Sequence, residues 1–351
     1  MKAVRLTEAG AALHIEDVPL PRPTADDVLI RVAGCGVCHT DIGFWKDGVP
    51  TRHGLPLTLG HEISGVVEDA GRAWRSWIGR EVIVPAVIPC GCCDLCRAGR
   101  GNACRGQLMP GNDIDGGFAE FISVPGRGLC AVESRDGYSL SDLSVIADAV
   151  TTPYQAVLRS GLSPGDLAIV VGVGGVGGYA VQIAAARGAH VLALDIDQAR
   201  LDTLARYGAA FTINTAEVEF KLVKRQIADF AARHECGTHR WRIFECSGCA
   251  RGQETAFGLI GHASTLMIVG FTLEKLALRL SNLMVFDATV QGSWGCRPEL
   301  YQEALRLVTS GAVTLSPFID RYPMSQAPEV LQLVADHEIT KRAILEPDWH
   351  F

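Results

Sequence analysis

The stretch LAIVVGVGGVGGYAVQIAAARGAHVLALD, residues 167–195, decides the fold. An apolar run is followed by a glycine-rich turn and a helix-forming segment, and a second apolar run then ends at Asp195. Alternating strands and helices are typical of a parallel sheet covered on both faces. The alternation continues in four more segments: strands at 241–246 and 264–271, and helices at 197–208 and 218–234. The sequence therefore predicts an α/β dinucleotide-binding domain.

The glycine-rich turn fits G-x-G-x-x-G through Gly172, Gly174 and Gly177, with Gly175 and Val176 between the last two. A Cβ atom at these three glycines would obstruct the tight turn, the approach to a pyrophosphate and the packing of helix on strand. The helix N-terminus would offer N–H groups to the phosphates. The alternative, a glycine-rich turn without a ligand, is disfavoured by its position between a strand and a helix.

Asp195 ends the next strand, where a carboxylate can accept hydrogen bonds from the adenosine ribose hydroxyls. The same carboxylate would repel the 2′-phosphate of NADP, so the sequence favours NAD. Arg200, in the following helix, is a second predicted cofactor contact.

The segments on either side of this domain lack its alternation of strand-like and helix-like runs. Residues 1–149 contain short apolar runs broken by Gly, Pro and Asp, which predicts a β-rich catalytic domain. The dinucleotide-binding domain is predicted over 150–289. Residues 290–351 are few for an independent domain, and we expect them to return to the first domain.

Composition excludes several classes of protein. The net charge of −7 argues against a nucleic-acid binder. The sequence has no signal-peptide pattern and no apolar stretch of membrane-spanning length, so we expect a cytoplasmic protein with no membrane partner. In a reducing compartment, clustered cysteines indicate metal ligands rather than disulfides.

Five of the twelve cysteines lie between Cys90 and Cys104. Cys90, Cys93, Cys96 and Cys104 form C-x2-C-x2-C-x7-C within a lobe at residues 88–106, and four thiolates at such spacing can surround one tetrahedral Zn²⁺. A site filled by four protein ligands has no position for substrate, so the predicted role is structural. Cys92 is an alternative to Cys93 in this set.

A second set of metal-binding side chains is spread along the chain. Cys38 in GVCHTD and His61 with Glu62 in GHE are each unremarkable alone, because a buried cysteine or a single histidine is more often structural. With the cysteine lobe and the glycine-rich turn, the chain resembles the zinc-containing medium-chain dehydrogenase/reductase family over its whole length. Further matching segments are GGFAEF, TTPYQA and ALDID.

This resemblance implies an α/β fold with a GroES-like catalytic domain and a Rossmann NAD-binding domain. It implies that Cys38, His61 and Asp148 bind a catalytic zinc, although many relatives have Cys where this chain has Asp148. The charge of the ligand set is the same with either residue. Two zinc ions per subunit and a homo-oligomer, with a tetramer favoured over a dimer, are expected.

The resemblance also assigns roles around the metal. Thr40 would pass the alcohol proton towards solvent, Asp41 would orient the ligating histidine, and Glu62 would lie behind the metal. His39 occupies the position that contacts the cofactor pyrophosphate. A histidine further along the family's proton relay is replaced by Gly43.

Three segments resemble a narrower group, the dehydrogenases that oxidise the ring alcohol of 6-hydroxycyclohex-1-ene-1-carbonyl-CoA to the 6-oxo product. They are residues 107–121, 147–156 and 279–296. Trp45, Arg52 and Trp294 are then predicted substrate residues, with Arg52 among the basic side chains near CoA. The alternatives are a zinc alcohol dehydrogenase for free allylic, cyclic or aromatic alcohols, a zinc-free reductase, and a non-catalytic NAD- or zinc-binding protein.

Overall fold

A computed structural model of the protein describes residues 1–349. The chain forms two compact units. Unit 1 contains residues 1–151, 295–310 and the chain from Leu315 onward, and unit 2 contains residues 152–294 and 311–314. The return to unit 1 begins at Gly295 rather than at residue 290, because the last strand of unit 2 occupies Thr289–Gly292.

The strands are, in chain order, β1 (Lys2–Leu6), β2 (His14–Asp17), β3 (Asp27–Gly36), β4 (Leu57–Thr58), β5 (Glu62–Ala70), β6 (Glu81–Val84), β7 (Phe121–Pro125), β8 (Cys130–Ala131), β9 (Leu167–Val171), β10 (His190–Asp195), β11 (Phe211–Asn214), β12 (Trp241–Glu245), β13 (Thr265–Ile268), β14 (Thr289–Gly292), β15 (Ile319–Pro323) and β16 (Arg342–Glu346).

The α-helices are, in chain order, α1 (His39–Trp45), α2 (Asp94–Arg97), α3 (Thr151–Arg159), α4 (Gly177–Ala186), α5 (Gln198–Leu204), α6 (Phe220–Arg233), α7 (Ala250–Gly258), α8 (Ser281–Phe286), α9 (Tyr301–Thr309) and α10 (Ala327–Ala335). None of the helices in residues 1–349 combines the length and the apolar character needed to cross a bilayer.

Unit 2 is built on a six-stranded parallel sheet in the order β11-β10-β9-β12-β13-β14. Relative to the first strand of the unit this order is 3-2-1-4-5-6, the arrangement of dinucleotide-binding folds. All five residues of β9 are buried, as its continuous apolar sequence requires. The predicted Rossmann-type α/β fold is therefore confirmed.

Local sequence explains how individual elements of unit 2 begin and pack. The Asp197 carboxylate caps α5 by accepting hydrogen bonds from the N–H groups of Ala199 and Arg200, at 2.9 and 3.2 Å. In α6 the buried side chains lie three to four residues apart, including Val223, Ile227 and Phe230. This spacing places one apolar face against the sheet.

Unit 1 is β-rich, as predicted. Its larger sheet follows the order β15-β16-β3-β5-β6-β8, with β7 also paired to β3. A smaller sheet has the order β2-β1-β4. The last strand, β16, pairs antiparallel with β3 through Leu345 and Cys35, so the C-terminal segment completes the sheet of the first unit.

Candidate metal and cofactor sites

Three side chains from separate parts of unit 1 converge on one point. Cys38 precedes α1, His61 precedes β5, and Asp148 follows the 3₁₀ turn Asp142–Ala147. The Asp148 Oδ2 atom lies 3.9 Å from Cys38 Sγ and 3.8 Å from His61 Nε2. Together with Glu62, these residues offer donor atoms that all lie within 4.8 Å of one another.

These distances lie within about 0.5 Å of those in a tetrahedral zinc site. Bonds of about 2.0–2.3 Å give ligand-to-ligand distances of roughly 3.3–3.8 Å at tetrahedral angles. Thiolate, imidazole and carboxylate are all zinc ligands, and three of them leave one coordination position open. Because the fourth nearby donor, Glu62, pairs with Arg342 at 3.0 Å, Cys38, His61 and Asp148 could hold an ion and leave a position for substrate.

Asp41 organises the surroundings of His61. Its carboxylate accepts hydrogen bonds from the N–H groups of Cys38 and Gly60, at 2.9 and 3.1 Å, and lies 3.3 Å from His61 Nδ1. Burial opposes protonation of His61, but Asp41, Asp148 and Cys38 raise the pKa of its imidazole well above the ordinary value. The same negative surroundings favour a bound cation at Nε2.

A buried ion pair that the sequence analysis missed lies beside this cluster. Arg342 Nη1 is 3.0 Å from Glu62 Oε1 and donates to the Val37 carbonyl at 2.9 Å. Burial of Cys38 disfavours its thiolate, but Arg342 and His61 lower the pKa of the thiol. Burial also raises the pKa of Glu62 well above its ordinary value, against the effect of Arg342. The sequence feature that could have indicated this ion pair is Arg342 itself, a charged residue at the start of the apolar segment RAILE.

The two residues after Cys38 differ in exposure. Thr40 is half-buried, and its hydroxyl lies 3.6 Å from Cys38 Sγ, next to the cluster. His39 is exposed and its ring stacks on His337 at 5.5 Å between centroids. The hydroxyl of Thr40 is thus placed where it could exchange a proton beside the candidate metal ligands.

The lobe at 88–106 brings four thiols together. Cys93 Sγ lies 3.5 Å from Cys96 Sγ and 3.6 Å from Cys104 Sγ, and Cys90 Sγ lies 3.9 Å from Cys96 Sγ. These separations fit Zn–S bonds of about 2.3 Å. The fifth thiol, Cys92, is exposed and contacts only Cys90 among them, at 3.7 Å. The four-thiol group contains Cys93 and not Cys92.

The thiols of the lobe differ in acidity. Hydrogen bonds from the backbone N–H groups of Cys92 and Cys93 lower the pKa of Cys90 to about 6. Burial and the neighbouring thiols raise the pKa of Cys96 to about 12. The Cys90 thiol is therefore ionised at neutral pH, and a bound cation would favour ionisation of the Cys96 thiol as well.

In the glycine-rich turn of unit 2, a Cβ atom would clash with its neighbours at Gly172 and Gly177, as the motif predicts, but not at Gly174. Gly172 has a φ of +81°, and a Cβ there would lie 2.4 Å from Ser247 Cα. A Cβ at Gly177 would lie 1.9 Å from the Gly172 carbonyl oxygen. A Cβ at Gly174 would meet only Arg200, at 3.7 Å, so its outer side is open. Gly175 is exposed, and Val176 immediately precedes α4.

Asp195 is tied to this turn. Its Oδ2 atom accepts a hydrogen bond from Val173 N–H at 2.7 Å, and Oδ1 accepts from Ile196 and Asp197 N–H at 2.8 and 3.0 Å. Arg200 Nη1 is 4.0 Å from Oδ1. Because a carboxylate has about four acceptor positions, three backbone donors leave room for a further hydroxyl.

A second loop supports the turn, and the sequence analysis missed it. Glu245, fully buried at the end of β12, accepts hydrogen bonds from Ser247 N–H at 2.8 Å and Gly248 N–H at 3.3 Å. Ser247 in turn packs against Gly172. The available signal was a carboxylate at the end of an otherwise apolar strand.

A matched pair of glycine variants tests this cofactor site. Gly177→Ala is expected to lower the melting temperature and abolish NAD binding, because its Cβ cannot fit against Gly172. Gly174→Ala should melt like the wild type but bind NAD at least about tenfold more weakly, because the new methyl group occupies the open side. Melting curves with and without NAD are the measurement. Wild-type NAD affinity in Gly174→Ala would contradict this assignment.

The predicted substrate residues lie in different surroundings. Trp45 belongs to the core of unit 1, and its indole N–H donates to the Ala11 carbonyl at 2.7 Å. Arg52 is exposed and pairs with Asp113 at 3.1 Å. Trp294, in unit 2, is half-exposed. Trp45 is thus engaged in packing, whereas the other two side chains have accessible surface.

The chain was compared with known proteins. The model of the alcohol dehydrogenase GroES-like domain matches residues 24–134, and that of the zinc-binding dehydrogenases matches residues 175–310. An alcohol dehydrogenase of Geobacillus stearothermophilus is 28% identical, covering 99% of this chain and 100% of the relative. One of Rhizobium meliloti is 30% identical, covering 89% of each.

Among solved structures, the galactitol-1-phosphate dehydrogenase of Escherichia coli aligns with a TM-score of 0.89 and 25% identity, covering 99% of this chain and all of that one. These matches confirm the predicted family and the GroES-like assignment of the first domain. The narrower resemblance to acyl-CoA dehydrogenases gains no support from them and stays a prediction.

Proposed function

Since the chain belongs to the family of zinc-containing alcohol dehydrogenases, we propose that it oxidises a free allylic, cyclic or aromatic alcohol with NAD as hydride acceptor. In this proposal Cys38, His61 and Asp148 hold the catalytic zinc. The observation that carries it is the spacing of their donor atoms, 3.8–3.9 Å from Asp148 Oδ2. A zinc ion held by these three residues alone would keep one coordination position open.

Bound zinc would act as a Lewis acid that acidifies the alcohol, and NAD would accept the hydride. The protein's own groups do the rest. Asp41 fixes the orientation of His61. The Thr40 hydroxyl beside Cys38 would accept the alcohol proton while passing its own proton on towards solvent. The acceptor after Thr40 is outside the family pattern, because Gly43 has no side chain to relay a proton.

The open metal position also separates the proposal from its rivals. A zinc-free reductase has no use for the Cys38, His61 and Asp148 cluster or for the four-thiol lobe. A non-catalytic binding protein needs neither an open coordination position nor a hydroxyl at Thr40. We propose two zinc ions per subunit, one in each cluster.

The preference for NAD over NADP rests on Asp195. A 2′-phosphate would meet this buried carboxylate, which the neighbouring backbone holds in place. Like charges in contact cost several kcal/mol, and each 1.4 kcal/mol corresponds to about a tenfold change in affinity.

Asp195→Asn is therefore expected to reduce the preference for NAD over NADP by at least roughly tenfold, because it removes the negative charge and keeps an acceptor oxygen. The preference is measured as the ratio of kcat/KM values for the two cofactors. Asp202→Asn, on the exposed side of α5, is the control. An unchanged ratio in Asp195→Asn would place the discrimination elsewhere.

An acyl-CoA substrate is the second candidate, and one local feature favours it. The segment at 107–121, which resembles the acyl-CoA enzymes, supports the loop that carries Arg52. Asn112 accepts hydrogen bonds from the N–H groups of Arg52 and His53, at 3.0 and 2.8 Å. This segment thus positions Arg52, the basic residue predicted to lie near CoA, and also pairs it with Asp113 at 3.1 Å.

The deciding experiment is NADH formation with 6-hydroxycyclohex-1-ene-1-carbonyl-CoA and with cyclohex-2-enol at matched concentrations. Comparable kcat/KM values, or a higher value for the free alcohol, would support the main proposal. A preference for the CoA ester of several orders of magnitude would replace it with the second candidate. No activity on either compound would contradict both.

We further propose a cytoplasmic homo-oligomer, with a tetramer favoured over a dimer. All twelve cysteines are free thiols, as expected for a protein in a reducing compartment.

The support for an oligomer is a surface of unit 2. Unit 2 exposes apolar side chains near the edge strand β14, namely Leu280, Met284, Val285 and Val290. Exposed apolar groups beside a free strand edge are typical of a surface covered by a second subunit. Sedimentation equilibrium would test the assembly.

A further inference from the structure

The third proposed metal ligand, Asp148, is not in a regular element. Its backbone angles are φ −139° and ψ −56°, between the 3₁₀ turn that ends at Ala147 and the helix that begins at Thr151. Its position therefore depends on hydrogen bonds to the peptide groups beside it. The peptide carbonyl of Ala147, the residue directly before Asp148, accepts such hydrogen bonds.

Two side chains donate to this carbonyl. Thr151 Oγ1 is 3.0 Å from the Ala147 oxygen, and the Tyr301 hydroxyl, in the first turn of α9, makes a short hydrogen bond to the same atom. Both residues are fully buried. The segment that carries Asp148 is thus hydrogen-bonded to the start of the next helix, α3, and to the start of α9. Tyr301 in α9 lies 154 residues after Ala147 in the chain.

The Tyr301 hydroxyl also connects this segment to the sheet. It accepts a hydrogen bond from the Ala86 N–H at 3.1 Å. Ala86 follows β6, and Val84 at the end of β6 pairs with Ile63 in β5, two residues after His61. One hydroxyl therefore joins the backbone beside Asp148 to the strands beside His61.

The hydroxyl keeps its proton throughout the working pH range. Burial raises the pKa of Tyr301 well above its ordinary value. A protonated phenol donates one hydrogen bond and accepts another, which is how Tyr301 is used here.

We propose that Tyr301 is a positioning residue for the metal site, which fixes Asp148 relative to His61 through its hydrogen bonds to Ala147 and Ala86. This inference rests on the proposed function, because it takes Asp148 as a ligand. It adds a residue outside the ligand set, and its effect is on the retention and geometry of the metal.

The test compares Tyr301→Phe with Tyr138→Phe in the full-length protein with cobalt in the catalytic site. Tyr138 is the matched control, because its hydroxyl accepts a backbone hydrogen bond from Leu315 at 3.2 Å in the same unit. The visible absorption of Co²⁺ reports ligand geometry, and its decay in excess chelator gives the rate of metal loss. Thermal unfolding of both variants is recorded in parallel.

Tyr301→Phe is expected to shift the cobalt spectrum and to raise the rate of metal loss about tenfold, the lower end of the effect of residues that support ligands. Its kcat should fall, while the affinity for NAD stays that of the wild type. Tyr138→Phe should lose stability without either change. Equal spectra and equal rates of cobalt loss in the two variants would overturn the proposal.

A second variant covers the case in which Tyr301→Phe does not fold. Thr151→Val removes the other donor to the same carbonyl and should raise the rate of cobalt loss about fivefold, as expected for one hydrogen bond. An unchanged rate would also overturn the proposal. Wild-type protein that binds no cobalt at Cys38, His61 and Asp148 would instead contradict the proposed function itself.

Discussion

Asp148→Ala is expected to lose about one zinc per chain and to lower kcat roughly a thousandfold or more, while the fold is retained. A Lewis acid in the active site contributes several kcal/mol to transition-state stabilisation, and each 1.36 kcal/mol is a tenfold change in rate. The carboxylate side chain is partly exposed and lies outside the regular elements, so its removal leaves the core unchanged. Metal analysis and NADH formation are the measurements.

Asp148→Cys is the matched control. Cysteine supplies a thiolate of the same charge at the position where many members of the family have it, so zinc content should recover and kcat should return to within about tenfold of the wild type. Full activity in Asp148→Ala would contradict the ligand assignment. Loss of zinc in both variants would indicate that the carboxylate has a role other than coordination.

Cys96→Ser is expected to lose the other zinc and to destabilise the protein. The lobe contains one short α-helix, α2, and a 3₁₀ turn at Gly101–Ala103. Apart from Leu95 it has almost no large apolar side chain between Pro89 and Gly106. We therefore expect its folding to depend on a bound metal. A loss of several kcal/mol corresponds to a fall of about 10 °C in Tm.

Cys92→Ser is the control for this experiment, because its exposed thiol lies outside the four-thiol group. It should keep both zinc ions and the wild-type Tm. If Cys92→Ser loses as much zinc as Cys96→Ser, the ligand set has been assigned incorrectly. If Cys96→Ser unfolds like the wild type, the lobe does not depend on a structural metal.

The elements that the sequence predicted best are those with a strong pattern of burial. The helix predicted at 218–234 is observed as Phe220–Arg233, and the apolar run at 167–171 is the fully buried central strand β9. The edge strand β14 was not predicted. Its residues are largely exposed, so no apolar face marks it in the sequence.

The metal and cofactor residues could be proposed from motifs, because the chemistry of each ligand is carried by a short segment. The residues that hold them could not. Arg342 meets Val37 across 305 positions, and Tyr301 meets Ala147 across 154. Contacts at such separation depend on the packing of whole strands and helices, which a single sequence does not specify.

The roles of the predicted substrate residues also depend on packing that the sequence does not specify. Trp45 has the size and location of a pocket residue in the sequence, but its indole is used inside the core of unit 1 through Ala11. An aromatic side chain has no sequence feature that separates packing from substrate contact.

Zinc-dependent alcohol oxidation is tested most directly by NADH formation from cyclohex-2-enol with one protein sample in three states: as purified, after removal of metal by chelator, and after readdition of Zn²⁺. We expect activity to be lost with the zinc and to return in proportion to the zinc bound at Cys38, His61 and Asp148. Activity that persists in metal-free protein would contradict a catalytic role for zinc at these residues.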